Sequence, residues 1–343
     1  SFRPVYEGEK VTPPKDLTID PGKSVFGCPY GSTEKEVMDI LGQPVGKIYK
    51  GDSSFSLLYG NESQLKFKDD RLCGVSLQNA FDFLNSNHPM SFSTSNRNQD
   101  AQSRTGGWRL TNGIQHGMEV SEALKIPGIK TDEECWRIKY TQNDQLIEIT
   151  LMQSHVNGEK IKYINTLSIT PSGSEVDLKI EYANPFNIPS DPAKNIFGCD
   201  LGSNRQDIEN KLGKPMAEFW LGHNKKGLLY NQNQYLLILR DGKLEGGIFR
   251  NSDYHGLQNR VPQEIFLPAK RRNEKTSSET KPFTLRNGIG LLQPLAYAKG
   301  ILGDRLKGEN YTDGPSLIRL RSARYHSSPD DADIQELDIT RAL

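Results

Sequence analysis

The first places to look for chemistry in this chain are six histidines and four cysteines. His88, His116, His155, His223, His255 and His326 are scattered, and none falls into a helical ligand spacing such as H-E-x-x-H. Cys28, Cys73, Cys135 and Cys199 contain no C-x-x-C pair, so neither a zinc site nor a dithiol centre is expected. A Cys-His nucleophile built from Cys28 and a remote histidine is the one thiol chemistry left open. Cys28 sits in a motif that recurs with Cys199, which favours packing. No G-x-S-x-G elbow is present, and Gly31-Ser32-Thr33 reads as the entry to a helix. The carboxylate pairs Asp69-Asp70 and Glu133-Glu134 lie at turns or a helix start, where solvation and turn formation account for them. The expectation is a chain with no catalytic residue, no cofactor and no metal.

What the elements do announce is repetition. FGCPYGSTEKEVMDILGQP, Phe26 to Pro44, returns as FGCDLGSNRQDIENKLGKP, Phe197 to Pro215. Leu57-Leu58-Tyr59 then matches Leu228-Leu229-Tyr230, and Asp69 to Leu72 matches Asp241 to Leu244. Leu110 to Ile114 matches Leu285 to Ile289, and Ile164 to Thr170 matches Ile334 to Thr340, all in the same order. A weaker echo, Asn112-Gly-Ile-x-x-Gly117 followed by Val120, Ala123, Leu124 and Ile126, divides each half again.

The recurring entrance is architectural. Ser32 or Thr33 caps a helix with Glu36 in capping-box spacing, and Ser203 with Gln206 is the expected second box. Val37, Ile40 and Leu41 share one face, as do Ile208 and Leu212. Gly42 and Gly213 are expected to end the helices at positive φ, with Pro44 and Pro215 blocking continuation. The period then changes to two in Phe55-Leu57-Tyr59, Leu65-Phe67, Trp136-Ile138-Tyr140 and Ile147-Ile149-Leu151. Asp69-Asp70, Asp241-Gly242 and Asn143-Asp144 are the expected hairpin turns. The expected fold class is therefore α+β: two tandem copies, each of two helix-plus-antiparallel-sheet units. The expected boundaries are an extended segment 1–24, a first domain 25–183, a Pro-rich linker 184–194 and a second domain 195–343.

The chain has 343 residues, enough for two cores. Lys plus Arg equals Asp plus Glu at 43 each, so no global field steers it to nucleic acid or an anionic membrane. Mean hydropathy is −0.64, and no apolar run approaches the roughly 20 residues of a membrane helix. The opening SFRPVYEGEKVTPPK reads as the start of a trimmed chain rather than a leader. For the thiols two readings stand side by side: a Cys73–Cys135 staple with Cys28 and Cys199 as small buried residues, or four free thiols.

The Gly-Ser/Thr helix entry, the Leu41-Gly42-x-Pro44 close, Leu57-x-Tyr59-Gly60 and Leu65-x-Phe67-x-Asp69 through Leu72 resemble the SmpA/OmlA type of bacterial envelope lipoprotein. The tandem form is similar to the β-lactamase inhibitor protein fold. The second copy departs at Asn231, where the glycine is lost, and at Leu236 to Leu239, where the alternation is lost. The resemblance implies a non-catalytic, periplasmic or extracellular protein that binds another protein through its sheet face and loops. Two alternatives from other classes stand beside it: a cytoplasmic immunity protein that neutralises a toxin, and an enzyme of unfamiliar type with a site between the copies. The expected contact surface is the sheet face away from the helices with the polar loops 85–107 and 268–281. Tyr49, Trp220, Arg271 and Arg272 are its candidate contacts, since aromatic and arginine side chains dominate binding hot spots.

Overall fold

The computed structural model describes residues 16–44, 46–50, 53–59, 63–77, 108–132, 134, 136–173, 186, 188–230, 235–250, 283–323 and 332–341. The chain divides into two compact units, Ser1–Lys179 and Ile180–Leu343.

The first unit opens with β1 (Thr18–Asp20), β2 (Ser24–Val25) and β3 (Cys28–Pro29), followed by α1 (Glu34–Leu41). Thr33 caps α1 in a complete capping box: its amide donates to Glu36 Oε2 at 2.7 Å, and the Glu36 amide donates back to Thr33 Oγ1 at 3.3 Å. Val37 is fully buried, but Ile40 is 52% exposed, so α1 packs through a narrower face than its three apolar positions predict. Gly42 ends the helix at φ 82° and ψ −171°, its amide donating to the Met38 carbonyl. The positive φ is as expected. The extended ψ places it outside the left-handed helical well, in a region essentially restricted to glycine.

Seven strands of this unit then run antiparallel. In chain order they are β4 (Gly46–Tyr49), β5 (Ser54–Leu58), β6 (Ser63–Lys68), β7 (Arg71–Leu77) and, after β8 (Arg109–Leu110) and α2 (Val120–Ala123), β9 (Arg137–Gln142), β10 (Gln145–Val156) and β11 (Glu159–Pro171). In space the order is β4-β5-β6-β7-β11-β10-β9. The two helix-plus-sheet pieces expected as separate units thus share one run of strands, joined where β7 pairs with β11. Hairpins close at Asp69-Asp70 (φ 51° and 58°) and Asn143-Asp144 (φ 50° and 58°), the positive-φ pairs of tight turns.

The second unit is built from β12 (Asn195–Ile196), β13 (Cys199–Asp200), α3 (Arg205–Leu212), β14 (Ala217–Gly222), β15 (Lys225–Tyr230), β16 (Tyr235–Arg240), β17 (Lys243–Arg250), α4 (Leu295–Leu302), β18 (Asn310–Asp313), β19 (Ser316–Ala323) and β20 (Asp333–Arg341). Its strands follow the order β14-β15-β16-β17-β20-β19-β18. The capping box of α3 is Asn204 with Asp207, one residue later than the expected Ser203 and Gln206. That shift puts it in register with Thr33 and Glu36. Ile208 and Leu212 are buried as expected, and Gly213 repeats the helix stop at φ 80° and ψ −178°. Tyr59 Oη donates to the Gly42 carbonyl at 2.9 Å, and Tyr230 Oη to the Gly213 carbonyl at 3.1 Å.

Each unit has its own core between helices and strands. One runs from Ile19 through Val37, Leu57, Leu65 and Trp108 to Ile169; the other runs from Phe186 through Ile208, Leu237 and Phe249 to Ile339. Two glycines are dictated by close backbone approach. A Cβ on Gly74 would lie 2.4 Å from the Ile169 carbonyl oxygen, and one on Gly246 would lie 2.0 Å from that of Ile339.

Among the described residues the helices are few and short, and the molecule is mostly β, with less helix than the α+β expectation held. The expected N-terminal segment is already structured at Ile19, which is fully buried and pairs β1 in parallel with β8. Within the expected linker, Ser190 is fully buried, bridges Leu285 in parallel and accepts the Phe197 amide on its Oγ at 2.9 Å. Cys28, Cys73 and Cys199 are free thiols, so Cys73 forms no staple; Cys135 lies outside the described residues.

Candidate functional site

Strand alternation sorts the first unit into two faces. Leu57 on β5, Leu65 and Phe67 on β6, Val75 on β7, Leu167 and Ile169 on β11 and Ile147 and Ile149 on β10 join the core with Val37. Their strand neighbours point the other way and are mostly polar, Leu58 on β5 and Leu146 on β10 being apolar. Gln64 stands opposite Ser76, Ser76 opposite Ser168, Ser168 opposite Glu148, and Glu148 opposite Lys139. This polar row crosses β6, β7, β11, β10 and β9, ending in a Lys139–Glu148 ion pair of 3.0 Å.

A second row lies beside it. Ser56 on β5 stands opposite Lys66 on β6, and Lys66 opposite Gly74 on β7. Because Gly74 has no side chain, the Lys66 stem passes over β7, and its Nζ donates to Ser168 Oγ on β11 at 3.0 Å. Lys50 follows β4; its amide donates to the Ser54 carbonyl at 2.8 Å, and its Nζ to Gln64 Oε1 at 2.9 Å. Cys73 Sγ donates to the Lys66 carbonyl at 3.4 Å. Exposure grades along this face: Lys139 and Thr150 are exposed, Lys66 and Ser168 half-buried, and Gln64 and Ser56 buried.

The enclosed end is electrostatically unusual. Burial pushes the Lys50 ammonium down to about 8. Burial, then the neighbouring Lys50 charge, push Lys66 down to about 7. Burial raises the Cys73 thiol, an effect that Lys66, Lys68 and Lys50 oppose. The site therefore holds two ammonium groups whose hydrogen-bond acceptors are neutral oxygens, one of them exchanging its proton near neutrality. Such groups accept an anion or move a proton.

The sequence-predicted contacts lie elsewhere. Tyr49 is half-buried on β4 and stands opposite Phe55, which packs against the helix-side core. Lys47 Nζ lies 4.0 Å from the Phe55 ring centroid and 5.7 Å from that of Tyr49, and pairs with Glu34 of α1 at 2.5 Å. Trp220 is half-buried on β14 opposite Lys226, whose Nζ is 5.4 Å from its ring centroid. Two residues before it, Glu218 pairs with Arg205 of α3. Both aromatics therefore project on the helix side, whereas the expected surface was the opposite face. Side-chain alternation from Ile48 and Phe219 fixes them there. Arg271, Arg272 and the loops 85–107 and 268–281 lie outside the described residues.

The sequence reading missed Lys50, Ser56, Gln64 and Lys66. A signal existed: Gln64 and Lys66 flank Leu65 in an alternating strand, while the second unit has Leu236 and Ile238 at the matched places. In the second unit a cavity of about 430 Å³ is lined by Glu309, Asn310, Leu317, Arg319, Leu320 and Arg321. Arg321 there already pairs with Glu336 at 3.4 Å. Among the described residues no group of His, Cys, Asp and Glu has the arrangement of a metal site, and no helix is long and apolar enough to cross a membrane.

Comparison with protein-family models, curated proteins and solved structures gives no match to this chain.

Proposed function

We propose that this chain is a non-catalytic protein-binding module, a tandem duplication on the β-lactamase inhibitor-like plan, acting in the periplasm or outside the cell. The matched helix stops, tyrosine anchors and strand orders support the duplication. One observation carries the binding reading: the polar row Gln64–Ser76–Ser168–Glu148–Lys139, which spreads over five neighbouring strands on the face opposite the core and opens to solvent at β9 and β10. A broad, graded polar surface suits recognition of another protein, with rim charges setting rate and register.

The test is capture by the immobilised full chain, with cross-linking and mass spectrometry to name the bound protein. Lys139→Ala with Glu148→Ala should weaken capture about tenfold while leaving Tm unchanged. Loss of capture with Tyr49→Ala and Trp220→Ala instead would move the interface to the helix side. A second reading, a cytoplasmic toxin-neutralising protein, is favoured by the free thiols at Cys28, Cys73 and Cys199. Compartment fractionation of the native protein separates the two.

A further inference from the structure

We propose that the ribbon at the far end of β10 and β11 joins this chain to a second molecule of itself, edge to edge along β10, with the two-fold axis at Ser154. This goes beyond the protein-binding reading and does not rest on it.

β10 and β11 pair along their whole length, from Gln145 with Pro171 to Val156 with Glu159, but their flanking strands stop short. β9 covers β10 only over residues 145–150, and β7 covers β11 only over 167–169. Beyond Leu151 the two strands stand out as a ribbon. Its β11 edge is guarded. The Gly117 amide donates to the Ile164 carbonyl at 2.9 Å, the Ile164 amide to the Met118 carbonyl at 2.8 Å, and Glu119 bridges Tyr163. Further out that strand carries Glu159, Lys160 and Lys162, charges of the kind that keep other strands from adding to an edge. The β10 edge has neither protection. Among the described residues no strand pairs with 152–156 on that side, and residues 151–156 read LMQSHV, with no Lys, Arg, Asp, Glu or Pro. A bare edge of this kind is a template for a further strand.

The backbone sets the register. The Leu151 amide donates to the Trp136 carbonyl at 3.0 Å on the open side, so strand alternation turns the N–H and C=O groups of Gln153 and His155 the same way. Trp136, 42% exposed with the Lys162 Nζ 4.1 Å from its ring centroid, occupies the place opposite Leu151 and ends the free edge there. The antiparallel register that satisfies all the open groups sets Gln153 opposite His155 of the second molecule, and His155 opposite its Gln153. It also brings Met152 against Val156 and Ser154 against Ser154 across the axis. Apolar meets apolar, polar meets polar, and no like charges meet. This self-complementarity is what a two-fold contact requires, and it selects a second molecule of this chain over a different protein. The contact is short, so the pairing is weaker than that of dimers with a standard-sized interface.

The test is sedimentation velocity of the full chain over a wide concentration range. The expected result is a monomer–dimer equilibrium with Kd on the order of 100 μM. Ser154→Lys sets two ammonium groups together on the axis, and His155→Pro removes an N–H that serves the open edge and not β11. Each should weaken dimerisation by about tenfold or more. Lys139→Ala with Glu148→Ala should leave the dimer unchanged, which separates this edge from the polar row. Ser154→Cys, a small change that keeps the test sharp if the other variants do not fold, should give a disulfide-linked dimer under mild oxidation. Residues facing each other at such a position lie about 4.5 Å apart at Cα, within disulfide reach. Lys160→Cys on β11 and the unaltered chain should not cross-link. A monomer at every concentration, or a dimer indifferent to Ser154→Lys and His155→Pro, overturns the proposal; the first outcome leaves the edge to an extended segment of a different protein.

Discussion

The two units set side by side agree in backbone devices and differ in what their faces carry. The Gly31 amide donates to Leu72 and the Gly202 amide to Leu244, both at 2.8 Å. Asn112 Oδ1 accepts the Ile114 amide at 3.2 Å, and Asn287 Oδ1 accepts that of Ile289 at 3.1 Å. Away from the core the chemistry diverges. Lys50, Ser56, Gln64, Lys66 and Ser76 in the first unit are matched by Leu221, Gly227, Leu236, Ile238 and Ile248 in the second. On the helix side the ion pair is reversed: Glu34 on α1 meets Lys47 on β4, while Arg205 on α3 meets Glu218 on β14. Backbone geometry is held by a few local contacts that tolerate no substitute, whereas a face needs only some satisfied packing. The faces are therefore free to specialise.

The comparison breaks most severely at the buried glycines. Gly74→Val and Gly246→Val should each cost about 3 kcal/mol or more in urea unfolding, because the new side chain drives into a backbone carbonyl and not into a movable side chain. Similar losses would show that both units use the same close approach; a tolerated change in one would show that they do not.

The helix stops come next. Gly42→Val and Gly213→Val should each cost about 1–3 kcal/mol, since neither position has a low-energy conformation for a β-branched residue. Thermal denaturation of the two variants should show matching shifts.

The reversed ion pair gives a smaller and sharper effect. Lys47→Glu should cost about 2 kcal/mol by setting two carboxylates together in a half-buried position. Adding Glu34→Arg recreates the polarity of the second unit and should recover most of the loss in a double-mutant cycle.

The smallest effect is in pH. Lys50 and Lys66 have folded pKa values below their unfolded ones, so between about pH 7 and 9 the unfolded chain holds more protons and stability of the first unit rises with pH. Above about pH 9 the trend reverses, because burial raises the Cys28 and Cys73 thiols and the unfolded chain ionises first. Hydrogen exchange should show a gain of about 1 kcal/mol over that rise in the first unit. With Leu221 and Ile238 at the matched places, the second unit has no lysine there to titrate.

Much of the backbone was legible because its signals are local. Thr33 with Glu36, Gly42 before Pro44, and Asp69-Asp70 each act within a few residues, and the structure uses them as the spacing predicts. The box at Asn204 was misread by one position because Ser203 is an equally good capping residue by type; only alignment with Thr33 picks the right one. The candidate site was not legible. The Lys50–Gln64 and Lys66–Ser168 contacts are made through sheet register, and register depends on pairings far apart in sequence. Tyr49 and Trp220 were picked by residue type, but face is decided by parity along the strand, and parity puts them beside the helices.

The reversal of the ion pair bears on how such a chain finds its structure. Two similar halves on one polypeptide risk exchanging parts while folding, each helix docking on the wrong strands. Here a misplaced α1 would bring Glu34 against Glu218, and a misplaced α3 would bring Arg205 against Lys47. Each wrong assembly would set like charges together in a half-buried position, so the swap of polarity at both members of the pair disfavours exchange between the halves.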